Sequence, residues 1–114
     1  MENANIVPRP TRKNEFKIYF ESPKLSKSWM DLRATQLTNI VAAWEFLTRT
    51  PLQTTSLSYP LKNMRAPIVR AGKSFERWQL KLSATDGSRI WYYVEDQSVF
   101  IEKIFTAHPN QTKK

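Results

Sequence analysis

The chain has 114 residues, enough for one domain, and its 40% apolar content with four Trp, four Tyr and six Phe can fill a small core. It has no cysteine, which excludes disulfides and thiolate metal sites and makes a reducing, cytoplasmic setting the expectation. Eighteen Lys and Arg against ten Asp and Glu give a net charge of +8, which points to a polyanion: nucleic acid, an acidic protein or a membrane surface.

A solubilising surface charge is the plainer alternative, but the interleaving of aromatic and basic residues favours nucleic acid over lipid. No run of about 18 apolar residues is present, so no membrane span is expected. The opening MENANIVPRPTRKNE lacks the apolar segment of a secretory signal.

Residues 1–14 are polar and carry Pro8, Arg9, Pro10, Arg12 and Lys13, which predicts an extended basic arm ahead of a single domain over 15–114. Glu15 to Glu21 alternates, with Phe16, Ile18 and Phe20 on one face, as in a half-buried strand. Ser22-Pro23 ends that strand and offers a helix start. Leu25, Trp29 and Leu32 then recur at helical spacing. A break is expected at Arg33-Ala34-Thr35, with Thr35 as the cap of a second helix. That helix runs over 36–48, where Leu37, Ile40, Val41, Trp44 and Leu47 form one apolar stripe, and Pro51 stops it.

Leu52 to Ser74 predicts a long loop, with 58–64 returning along the sheet or forming a short strand, or ordering on a partner. Its cations Lys62, Arg65, Arg70 and Lys73 suit phosphate contact. Three strands follow. Trp78, Leu80 and Leu82 share a face, Asp86-Gly87 supplies a turn, and Ile90, Tyr92 and Val94 share the next face. Glu95 to Ser98 turns again, and Val99 to Phe105 is a β-branched and aromatic run. It ends at Thr106-Ala107-His108-Pro109, which places the one histidine where a strand stops. The expected class is α+β: two N-terminal helices packed on a mainly antiparallel sheet, in two layers.

Several catalytic machines are missing from the sequence. There is no CxxC, HExxH or GxSxG, and two glycines cannot make a Walker or dinucleotide loop. What remains is a cationic sheet face with one imidazole at its edge. RNA cleavage by the neighbouring 2′-hydroxyl needs a proton removed there, charge neutralised on the phosphate, and a proton given to the leaving 5′-oxygen. Arg89 and Lys81 flank the Asp86-Gly87 turn on neighbouring strands, so their side chains converge in this reading, and Arg suits a bidentate grip on phosphate. His108 would move a proton. Trp91, Tyr93 and Tyr59 are candidate stacking platforms for bases. Each has an ordinary alternative. His108 is a surface residue, Arg89 pairs with Glu95 or Glu102, and Trp91 and Tyr93 pack beneath the long loop.

Three stretches together carry a family resemblance: EFKIYFESP through TRTP, the short Leu61-Lys62-Asn63-Met64, and WQLKL, SRIWYYV and VFIEKIFTAH in succession. Over residues 15–110 their order resembles the RelE/ParE superfamily of bacterial toxins, in particular the RelE-type mRNA interferases. The resemblance implies a RelE-like fold and a metal-independent endoribonuclease without cofactor. It would cut mRNA in the ribosomal A site and inhibit translation. A cognate, usually acidic antitoxin would wrap it in a toxin–antitoxin hetero-oligomer. It also implies roles: Arg89 binds the reacting phosphate, Lys81 neutralises or activates it, His108 is the acid or base, and Lys62 contacts RNA. Arg65, Lys73 and Arg77 would position RNA through phosphates, beside Trp91 and Tyr93. The sequence departs from the pattern at Gln79, where RelE has a second lysine, in lacking a late tyrosine, and in an apparent insertion over 65–76. The ParE branch, which poisons gyrase without cutting RNA, and a plain basic nucleic-acid-binding module are the alternatives.

Overall fold

A computed structural model describes residues 7, 10, 14–61, 67–85 and 87–106. In chain order the elements are β1 (Lys17–Phe20), α1 (Lys24–Thr35), α2 (Leu37–Arg49), β2 (Ser58–Pro60), β3 (Ile68–Arg70), β4 (Lys73–Phe75), β5 (Trp78–Lys81), β6 (Arg89–Glu95) and β7 (Ser98–Phe105). Five strands form one sheet in the order β1-β7-β6-β5-β2, and β3 and β4 form a separate two-stranded sheet. The class is α+β, with two helices and a mainly antiparallel sheet. Both helices follow the first strand, and that strand pairs in parallel with the last, Ile18 opposite Val99.

The helices cover one face of the large sheet. The core joins Leu25 and Leu32 of α1 and Ile40, Ala43 and Leu47 of α2 to Trp78, Leu80, Ile90, Tyr92, Val99 and Ile101 of the strands. In β5 and β6 every second residue points into it, which is the alternation expected for a sheet with one buried face. Leu82, just past β5, joins the same cluster.

Two local expectations need correction. First, Thr35 does not cap α2: its hydroxyl donates back to the Asp31 carbonyl inside α1, and Gln36 forms the corner between the helices. The Gln36 amide donates to the buried Ser88 hydroxyl at 2.9 Å, which pins that corner to the start of β6. Second, Leu37 and Val41 are 56% and 45% exposed, so the apolar stripe of α2 is wider than the sheet it rests on. β5 and β6 pair with Lys81 opposite Arg89, so residues 82–88 connect them, and Gly87 in that connection takes positive φ, 84°, as expected of a turn glycine.

The long stretch over 52–74 is not one loop. β2 adds to the sheet beside β5, Ser58 opposite Leu80. β3 and β4 form a hairpin, Arg70 opposite Lys73, whose turn residues Ala71 and Gly72 both take positive φ, 50° and 79°. Two positive φ values match the twist of the strands they join, and glycine reaches them without steric cost. Lys62, Arg65 and the turn residue Asp86 lie outside the described residues, as does the predicted arm except for Val7, Pro10 and Asn14. No described helix is long and apolar enough to cross a membrane.

Candidate nucleic-acid interface

The sheet face away from the helices divides into two zones. At one end the β3–β4 hairpin lies over it. Arg70 reaches Glu21 through two hydrogen bonds of 2.9 Å, and Lys73 reaches Glu95 at 3.0 Å. Phe75 packs on Tyr93 with ring centroids 4.9 Å apart, and Tyr93 stacks on Phe100, which stacks on Tyr19. The Tyr93 hydroxyl donates a short hydrogen bond to the Glu21 carboxylate. Burial, then the neighbouring Glu21, pushes the Tyr93 phenol up to about 12. Hydrogen bonding from Arg70 is the largest effect on Glu21 and holds its carboxyl below the usual range, against the opposing effect of burial.

Between the zones sits the pair Arg77–Glu102. Two bonds of 2.7 Å join them, with the side chains 13% and 10% exposed. A β-bulge lies at this contact: Trp91 pairs with Lys103 and Tyr92 with Ile101, which leaves Glu102 as the extra residue. A bulge re-aims the side chains beyond it, and here it places Lys103 and Phe105 on the same face as Glu102. The hydrogen bonds to Glu102 raise the pKa of Arg77 further. The Arg77 guanidinium also lies 5.5 Å from the centre of the Trp91 ring.

The zone beyond the hairpin holds the half-buried Lys81 and Arg89. They are direct cross-strand partners on the face opposite Leu80 and Ile90. Opposite residues have Cβ atoms about 4.5–5.5 Å apart, and like charges there repel. No carboxylate among the described residues forms an ion pair with either. Arg89 donates to the Gly87 carbonyl at 2.8 Å and lies 4.4 Å over the Phe105 ring. Lys81 extends toward Tyr59, its ammonium 5.8 Å from the ring centre. Gln79 links the neighbouring rings. Trp91 Nε1 donates to its carbonyl at 2.9 Å, and its amide donates to the Tyr59 hydroxyl at 2.8 Å.

No family model matches this chain, and no curated protein or solved structure matches it.

The structure thus brings Lys81 and Arg89 together and gives the other sequence-derived candidates different surroundings. Arg77 is committed to Glu102 in a nearly buried pair, so it is not presented to a ligand phosphate. Lys73 is engaged by Glu95 at the surface. Trp91 and Tyr93 are 8% and 4% exposed and offer no open ring face for a base. The second-face packing weighed for them is what the structure has, beneath the hairpin for Tyr93 and among Arg77, Lys103 and Phe105 for Trp91. Arg89 pairs with neither Glu95 nor Glu102. Lys62, Arg65 and His108 lie outside the described residues. Sequence reasoning missed Phe105 and Lys103, which the bulge places on the open face. The signal was the three-residue step from Ile101 to Ile104, which breaks strict alternation. Among the described residues no three His, Asp or Glu side chains group as a cation site.

Proposed function

We propose that the chain is a RelE-type toxin: a ribosome-dependent mRNA endoribonuclease held in check by a cognate antitoxin. The observation that carries this reading is the Lys81–Arg89 pair. Two cations face each other across a ladder with no described carboxylate between them, an arrangement that costs stability and attracts phosphate. The local resemblance over 15–110 supports the same reading, and on it we take the two-layer arrangement as RelE-like.

In this account the phosphate of the scissile linkage sits over the Lys81–Arg89 row. Arg89 grips two phosphate oxygens and Lys81 adds a point charge as negative charge builds in the transition state. The ribose 2′-oxygen attacks phosphorus and gives up its proton. The bond to the 5′-oxygen breaks, and that oxygen takes a proton. A 2′,3′-cyclic phosphate and a 5′-hydroxyl result. His108 serves as the acid or base, following closely on Phe105, the cross-strand partner of Arg89. The ribosome supplies the remaining alignment. Tyr59 and Phe105 replace Trp91 and Tyr93 as the rings available to RNA, both being half-buried rather than enclosed.

Expression of the wild-type chain should arrest growth, and Arg89→Ala, Lys81→Met and His108→Ala should each relieve the arrest with the thermal midpoint retained. Wild-type arrest in all three variants would remove these residues from the site. Intact mRNA together with a DNA-damage response would point instead to gyrase poisoning of the ParE kind.

A further inference from the structure

β1 stops at Phe20, opposite Ile101, and among the described residues no strand pairs with β7 beyond that point on that side. A cavity of about 430 Å³ opens there, between the start of α1 and the unpaired half of β7. Ser22, Lys24 and Ser28 line one wall, and Glu102, Lys103 and Phe105 the other. Neither lysine forms an ion pair with a described carboxylate. The one carboxylate in the wall, Glu102, is already neutralised by Arg77. The cavity is therefore net cationic, and Phe105, with its aromatic ring, is among its lining residues beside two serines. That ring is shared: Arg89 lies over Phe105, so the cavity and the Lys81–Arg89 row are neighbours.

From this we infer that the cavity is a subsite for one nucleotide of single-stranded RNA, next to the linkage over Lys81 and Arg89. Lys24 and Lys103 hold its phosphate, Phe105 packs on its base, and Ser22 and Ser28 hydrogen-bond its polar edge. The inference rests on the nuclease reading for its neighbour, the scissile linkage. Volume supports a nucleotide rather than a bare anion, since a bare phosphate would leave most of this space unfilled. The ring supports a base, because every base has a π-face that stacks on an aromatic side chain.

The test titrates the full chain with a six-nucleotide single-stranded RNA made uncleavable by 2′-O-methylation, at several salt concentrations, with amide shifts recorded by NMR. Shifts should appear at 22–28 and 102–105 as well as at Lys81 and Arg89. Lys24→Ala and Lys103→Ala should each flatten the salt dependence, by about 0.7 in log–log slope per cation on a single strand. Ser28→Trp fills the cavity without changing charge, and should weaken binding while leaving the slope alone. Unchanged affinity in Ser28→Trp, or no shifts at 22–28 and 102–105, would overturn the subsite. Cleavage by the wild-type chain on programmed ribosomes, run in parallel, addresses the nuclease reading separately. Cleavage with a silent cavity sinks only the subsite. An occupied cavity with no cleavage sinks only the nuclease reading.

Discussion

Ala71 shows how a single residue sets a local energy. It occupies φ 50° at the first turn position of the β3–β4 hairpin, where an L side chain crowds its own carbonyl. Ala71→Gly removes that crowding at a position where the backbone already needs positive φ. The expected gain is about 1 kcal/mol, read as a raised denaturation midpoint with an unchanged m-value. Glu21 is the second residue-scale case. Its carboxyl titrates below the usual range in the folded chain, chiefly through Arg70, so the unfolded chain binds the proton more readily. Stability from this group is present above the unfolded pKa of about 4.3 and is lost as pH falls through the lower folded value. Acidification should therefore loosen the hairpin first, seen as faster amide exchange at 68–75, and Glu21→Gln should remove that pH dependence. The same cluster explains why Tyr93 misleads a reader of the sequence. Its alternation places it correctly on the second face, but the residues that cover that face come from a segment that reads as loop.

Elements were legible in the sequence to the degree that their pattern is local. The strand at Phe16, Ile18 and Phe20, the helix through Ile40 and Leu47, and the faces of Trp78, Leu80, Ile90 and Tyr92 follow from periodicity alone. The β3–β4 hairpin did not, because three-residue strands are too short for a period, and Ala-Gly is a weaker turn signal than Asn-Gly. The bulge in β7 was hidden for a related reason: a single inserted residue reads as noise in an alternating run. Beside it sits the Arg77–Glu102 pair. Removing one member of a nearly buried pair leaves the other charge uncompensated, so Arg77→Ala should cost roughly 3–5 kcal/mol. Replacing both, as Arg77→Met with Glu102→Leu, should recover most of that loss in thermal melts. A phosphate-binding Arg77 would instead change the salt dependence of RNA binding with little effect on melting. The candidate site was half legible. The adjacency of Lys81 and Arg89 follows from strand order, whereas the face taken by Phe105 and Lys103 follows only from the bulge.

At the scale of the molecule, one sheet carries two different surfaces. One face is closed by α1 and α2 into the core, and the other is closed at one end by the hairpin and carries Lys81 and Arg89 at the other. The parallel β1–β7 contact joins the ends of the chain, a pairing so distant in sequence that no local pattern announces it. The carboxylates on the second face, Glu21, Glu95 and Glu102, are each matched to a cation of their own: Arg70, Lys73 and Arg77. Lys81 and Arg89 are left without such a match among the described residues, at the end the hairpin does not cover. A net charge of +8 on a chain of this size adds long-range attraction for polyanions, and that attraction should weaken steeply with salt. Primer extension on cellular mRNA after brief induction tests the central claim most directly. The account predicts new 5′ ends phased with codons for the wild-type chain and none for a folded Arg89→Ala variant. Intact transcripts under the wild-type chain, or the same cuts from the Arg89→Ala variant, would contradict it.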